Sequence, residues 1–185
     1  MSSARGHLLI VMLAAAAAVA GLALGRWVTT PRSVEPPPGV EAAEPGMRRP
    51  DMQLPDLTGA TQTVAQFDGA PLLVNFWATW CAPCIEELPR LADLHARRDA
   101  DGMAVLAVAL EDDADAVAAF VREHALQLPV WIEAPGDGDH SVRYGNTRNV
   151  LPYSVLVGAD GTIIEQRIGA LDDEDLAEWT RLARP

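Results

Sequence analysis

Two nearly unbroken apolar runs, Pro71–Ala78 (PLLVNFWA) and Met103–Leu110 (MAVLAVAL), limit the folds open to this chain more than any other feature. A strand with one wet face alternates apolar and polar residues, whereas a strand covered on both faces reads as continuous hydrophobic sequence. Between and beyond the runs lie amphipathic helical patterns. One spans Ala82 to Arg98, with Ile85, Leu88, Leu91 and Ala92 on one face. The other spans Asp112–Ala125, with Val117, Phe120, Val121 and His124 at helical spacing. Buried strands joined through helices imply parallel pairing in a layered α/β domain.

The rest of the body fits that frame. Asp51–Thr63 reads as a short hairpin broken at Thr58-Gly59-Ala60, with a single turn at Gln66–Asp68. A strand is expected at Leu128–Ile132, followed by a Gly/Asp loop at 136–139. Tyr153–Val157 and Thr162–Ile168 flank Asp160-Gly161, a strong hairpin turn signal. Asp172–Arg184 has acids first and Arg last, the charge order that a helix dipole favours. The expectation is one domain over residues 51–185: a mixed sheet with helices on both faces and an extra N-terminal hairpin. Trp131 and Trp179 read as packing residues, His124 as a partly buried helix-face histidine, and Asp112, Asp113 and Asp115 as helix capping.

The N-terminus is of another kind. Leu8–Leu24 carries no polar side chain over 17 positions, roughly 26 Å as a helix, at the short limit for a bilayer core. Arg5 precedes it and Arg26-Trp27 follow. A cleaved signal peptide fits, with Ala18-Val19-Ala20 as a small-x-small site, and so does an uncleaved signal anchor. The anchor is the expectation, over residues 1–28, on the cytoplasmic membrane with the body facing the periplasm or its equivalent. Residues 29–50 hold six prolines and are expected to form an extended spacer.

Charge and residue counts remove several functions. All 14 basic residues are Arg, so Schiff-base and P-loop lysine chemistry are excluded. Residues 51–185 carry a net charge of −14 against +2 for residues 1–50, which argues against nucleic acid as a partner. Two cysteines exclude a disulfide scaffold and a four-cysteine zinc site.

Those two cysteines stand in Trp80-Cys81-Ala82-Pro83-Cys84, where the first apolar strand gives way to a helix. Unpaired N–H groups and the positive dipole end favour a thiolate at Cys81. Cys84 lies one turn on, within disulfide reach, and Pro83 falls where its missing N–H removes no bond. Zinc would need two more ligands, and His7, His95, His124 and His140 offer no paired spacing. Haem attachment needs His after the second Cys, where Ile85 stands. A purely structural bridge closes too small a loop to add much stability. A redox dithiol is the reading that remains.

The stretch Val74–Leu91 (VNFWATWCAPCIEELPRL) resembles the thioredoxin superfamily, in particular its TlpA/ResA-like branch of membrane-anchored thiol–disulfide oxidoreductases. The resemblance covers roughly residues 50–184 and includes Glu87, Pro89, Leu151-Pro152 and the following hairpin. It implies a thioredoxin fold, a redox-active Cys81–Cys84 disulfide, no other cofactor and no metal. It also implies a kinked helix at Pro89 and a cis peptide before Pro152, which leaves the Leu151 backbone free to pair with a substrate strand. Catalytic roles fall to Cys81, Cys84, Glu87 and Pro152. Trp77, Trp80, Ala82, Pro83 and Leu151 are expected to shape the substrate pocket. Thioredoxin has a buried Asp where this chain has Asn75; Asn takes up no proton, so Glu87 becomes the candidate proton acceptor.

The activity so implied is reduction of disulfides in exported proteins, such as apocytochrome c or copper-site cysteines, with a transmembrane electron donor restoring the dithiol. The alternatives are a net oxidant of exported proteins and a Cu(I) metallochaperone using the same thiolates.

Overall fold

The computed structural model describes residues 12, 14–15, 17–21, 40–98, 102–136 and 138–184. The chain divides into two units, Met1–Val34 and Glu35–Pro185. In the first, the described residues between 12 and 21 are helical. Among the described residues no helix is long and apolar enough to cross a membrane. Much of the expected anchor and the first part of the spacer lie outside the described residues.

In the second unit, Gln53–Pro55 (β1) and Thr61–Thr63 (β2) pair antiparallel as the expected hairpin. Its turn is closed by the Asp56 side chain, which accepts from the Thr58 and Ala60 N–H groups. A 3-10 turn follows at Val64–Phe67. The two apolar runs then become the paired strands Leu72–Trp77 (β3) and Ala104–Ala109 (β4), parallel and in register from Leu72 opposite Ala104 to Trp77 opposite Ala109. Val130–Ile132 (β5) extends the parallel half; Tyr153–Val157 (β6) and Ile163–Ile168 (β7) add an antiparallel half, in the order β5-β4-β3-β6-β7. Every residue of β3 is buried, as its unbroken apolar sequence requires.

Strand alternation divides the core in two. Leu73, Trp77, Val105, Ala107 and Ala109 pack with Ala82–Ala96 (α1), Ala114–Glu123 (α2) and Asp173–Leu182 (α4) through Leu88, Leu91, Val117, Leu176 and Trp179. Burying each of these larger aliphatic side chains contributes about 1.5–3 kcal/mol. Leu72, Val74, Phe76, Leu106 and Val108 face the other way, toward Met52, Leu54 and Val64 of the hairpin and turn, and toward Tyr144. Tyr144 follows a single helical turn, His140–Arg143 (α3). The three longer helices thus share one face, and the N-terminal hairpin packs on the other. Right-handed crossovers from β3 to β4 and from β4 to β5, stepping in one direction, place both connecting helices on the same side.

Helix ends follow the sequence signals. Asp113 caps α2, accepting from the Ala116 N–H, and Asp172 with Asp175 forms a reciprocal capping box on α4. Helix α1 runs through Pro89 to Ala96. His124 departs from expectation: it is exposed just beyond the end of α2, stacked on Phe120 at 3.9 Å. The helical pattern carried it onto the apolar face, but the helix stops one residue short and lets the ring swing outward.

Upstream of residue 51 the chain is already bonded to the body at Ala43. Ala43 N–H donates to the Arg143 carbonyl, and residues 46–49 run beside the start of β7, with Gly46 N–H donating to Ile163 and Arg49 N–H to Gly161. Proline and charge gave this segment a spacer's composition, yet its backbone covers the open edge of β7, and the Arg49 side chain is buried against Asp68.

Candidate active site

The parallel strands β3 and β4 end side by side, and the chemistry-bearing residues gather there. After Trp77 the chain turns through 78–80 and enters α1 with Cys81 as the N-cap residue. Cys81 N–H donates to the Ala78 carbonyl at 3.1 Å, and its own carbonyl accepts from Ile85 N–H at 3.1 Å. Cys81 and Cys84 are disulfide-bonded, with Cα atoms 5.3 Å apart. Cys81 is 6% exposed and Cys84 fully buried, so an incoming group meets Cys81 first. Pro83 lies in the first turn, where no helical bond is lost. The turn before Cys81 is held by Glu111, just past β4: its carboxylate accepts from the Thr79 N–H and, at 3.0 Å, from the Thr79 hydroxyl. The sequence offered no sign of Glu111 beyond its place after a strand's carboxyl end, where α/β ligand sites form.

An open groove of about 660 Å³ passes over Cys81. Trp80, Ala82 and Pro83 line one side with Cys81, and Trp80 is 71% exposed. The opposite wall is Leu110, Asn146, Asn149, Val150 and Leu151. The Leu151–Pro152 peptide is cis, and Pro152 is buried at the entry to β6. Trp77, expected in the pocket, is not part of it. Alternation along β3 sends its indole to the helix-covered face, fully buried and 5.3 Å from the Phe120 ring.

Asn146 and Asn149 are groove residues that sequence reasoning missed. The buried Asn146 side chain acts as a strand partner for Val150, donating to its carbonyl and accepting from its N–H, both at 3.1 Å. It also donates to the Ser141 hydroxyl at 2.9 Å. These bonds fix the loop that carries Leu151. Glycine is obligatory next door at Gly145, where φ is +107° and a Cβ would fall 2.6 Å from the Tyr153 hydroxyl and 2.9 Å from the Ala43 carbonyl.

Glu87, one turn beyond Cys84, is fully buried. One carboxylate oxygen accepts from Asn75 Nδ2 at 2.7 Å and the other from Leu171 N–H at 2.8 Å. Asn75 also donates to the Ser154 hydroxyl at 2.9 Å, while its Oδ1 has no partner among the described residues. Burial pushes the Glu87 carboxyl up to about 7, against the lowering effects of Leu171 N–H, Asn75 and nearby Arg90. Arg90, three residues on, donates to the Leu171 carbonyl at 3.2 Å. Neither Glu87 oxygen bonds a cysteine sulfur in this disulfide form. A carboxyl that titrates near neutrality is suited to both giving and accepting a proton. Glu86, beside it, is exposed.

A family model for AhpC/TSA proteins matches residues 45–166. The chain is 31% identical over 145 residues to the thiol-disulfide oxidoreductase ResA of Bacillus thuringiensis subsp. konkukian (strain 97-27), covering 78% of this chain and 82% of that protein. Among solved structures it is similar to a candidate thiol:disulfide interchange protein DsbE from Chlorobium tepidum. That match has a TM-score of 0.67 and 26% identity, over 77% of this chain and 98% of the other. It is also similar to a secreted Mycobacterium tuberculosis disulfide oxidoreductase homologous to E. coli DsbE, with a TM-score of 0.59 and 26% identity, over 70% and 94% of the two chains.

Proposed function

The chain belongs to the AhpC/TSA family and is a ResA-like thiol–disulfide oxidoreductase of the thioredoxin superfamily, and on that premise we propose that it reduces disulfides in exported proteins. The observation that carries this reading is the Cys81–Cys84 pair at the start of α1, open to a groove on the Cys81 side and backed by the buried carboxyl of Glu87. In the reduced enzyme the Cys81 thiolate attacks one sulfur of a substrate disulfide. That S–S bond breaks, the departing substrate thiolate takes a proton, and a mixed disulfide joins Cys81 to the substrate. Cys84 then gives up its proton, with Glu87 as the acceptor, and attacks the Cys81 sulfur. The second substrate thiol leaves and the enzyme holds the Cys81–Cys84 disulfide. Two electrons have passed from enzyme to substrate.

The Leu151–Pro152 segment is the docking edge in this reading, with Trp80, Ala82 and Pro83 opposite. The N-terminal segment serves as an anchor in the cytoplasmic membrane with the body on the outer side, which calls for a transmembrane dithiol donor. The apolar run Leu8–Leu24 and the secreted relative support that placement. Cysteines awaiting haem or copper in exported proteins are the proposed substrates. The deciding measurement is the reduction potential of the Cys81–Cys84 couple. A value of about −250 mV is expected for a reductase, whereas about −120 mV would make the protein a net oxidant.

A further inference from the structure

A second buried carboxylate lies beside the groove and takes no part in the chemistry described so far. Glu133 follows β5 and is 4% exposed. Its Oε1 accepts twice from His140, from the backbone N–H at 2.7 Å and from ring Nδ1 at 2.9 Å. Its Oε2 is buried and has no partner among the described residues. A carboxylate oxygen withdrawn from water without a donor is costly, by more than a neutral group in the same place. Glu133 lines a cavity of about 170 Å³ together with Gly136, Asp139, Ser141 and the side of Asn149. Leu110 and Asn149 line both this cavity and the groove over Cys81, so the two adjoin. The cavity therefore offers a second acid in Asp139 and a hydroxyl in Ser141, in a body whose net charge is −14 over residues 51–185.

We propose that this cavity is a specificity subsite for a basic side chain, Lys or Arg, of the substrate polypeptide whose cysteine is joined to Cys81. A cation seated in the cavity lies beside the Glu133 and Asp139 side chains, and a charge-assisted hydrogen bond out of water is among the stronger polar contacts. The inference rests on the reading of the groove as the docking place of a substrate chain. It adds that the enzyme selects disulfides by charge near the reactive cysteine.

The test uses the full-length chain and a set of disulfide-bonded peptides. Lys, Arg, norleucine or Glu is placed in turn at each residue on both sides of the cysteine. At one or two adjacent positions Lys and Arg should raise kcat/KM over norleucine by about ten-fold, and Glu should lower it. In Glu133→Gln, which keeps an acceptor for His140, the advantage should vanish while exchange with the norleucine peptide is retained. A Lys advantage that survives Glu133→Gln, or no position with an advantage, overturns the subsite. Failure to exchange any peptide, norleucine included, would instead sink the oxidoreductase reading of the groove. A second measurement stands if Glu133→Gln does not fold. In Cys84→Ala holding the Lys peptide as a mixed disulfide, carbodiimide should join the Lys amine to Glu133 or Asp139, located by mass spectrometry. Coupling only to other carboxylates would overturn the assignment.

Discussion

Glu87 and Glu133 are both glutamates buried at the end of the sheet where the dithiol lies, and they are finished differently. Glu87 has a donor on each oxygen, from Asn75 and from Leu171 N–H, and its carboxyl is raised to about 7 by burial. Glu133 has, among the described residues, two donors crowded on one oxygen and none on the other. A site closed by its own chain can exchange only a proton. A site left open by one hydrogen bond can exchange a ligand. The two carboxylates therefore divide the work, one toward the cysteines and one toward whatever is brought to them.

The largest effect that sharpens this contrast is on stability against pH. A carboxyl whose folded value lies above its unfolded value of about 4.5 stabilises the fold fully below about pH 4.5, and that contribution is lost as pH rises through about 7. At about 1.4 kcal/mol per unit, the contribution is about 3 kcal/mol. Denaturant titrations of wild type and Glu87→Gln should therefore diverge between pH 5 and pH 8, with wild type losing ground at the higher pH. Parallel curves would mean Glu87 is charged at neutrality.

Next is catalysis. Glu87→Gln should slow exchange with an uncharged model disulfide by about ten-fold or more and shift the cysteine titration, whereas Glu133→Gln should do neither. Equal loss in both variants would erase the distinction. The buried Gln is accommodated if the Asn75 amide turns over, presenting its unpartnered Oδ1 to the new NH2, the same response open to it when Glu87 is protonated.

A smaller effect is expected at Glu111. Removing the acceptor of Thr79 N–H in Glu111→Ala should cost about 1–3 kcal/mol of local order in the turn before Cys81. It should raise KM for peptide disulfides more than it lowers kcat. A kcat loss with KM unchanged would place Glu111 in the chemical step instead.

The smallest concerns the thiols themselves. Cys81, at the helix end and on the groove, should be alkylated before the buried Cys84 in the reduced protein, as mass spectrometry after limited iodoacetamide treatment would report. Preferential labelling of Cys84 would reverse the assigned roles.

What the sequence made legible was local. The continuous apolar runs announced β3 and β4, Asp-Gly announced the β6–β7 turn, and the cysteine motif sat at a strand-to-helix junction where its chemistry could be argued. What it concealed were partnerships across the chain. Thr79 meets Glu111 from 32 residues away, and Asn75 meets Ser154 from 79. No periodicity records such pairs, because they depend on how strands register in the finished sheet. Trp77 was misplaced for a related reason: nearness to Cys81 in sequence says nothing about which side of β3 a residue faces. Asn146 reads as an ordinary loop residue until its amide is seen closing on Val150. Glu87 was legible as a candidate only through family resemblance, and its burial was not.

The strip of chain from Ala43 to Arg49 has a mechanical consequence. It lies along β7, the edge strand opposite β5, tied through Gly46 and Arg49 to the start of that strand and through Ala43 to Arg143 and Gln166. A pull applied at Ala43 is borne by its bonds to Arg143 and Gln166 and then as shear between this strip and the β7 edge. The load then spreads through β6 before it arrives at β3, whose end holds the dithiol. The fastening point and the reactive bond are at opposite ends of that path, so tension applied at Ala43 strains the seam at the rim and leaves the sulfur geometry slack.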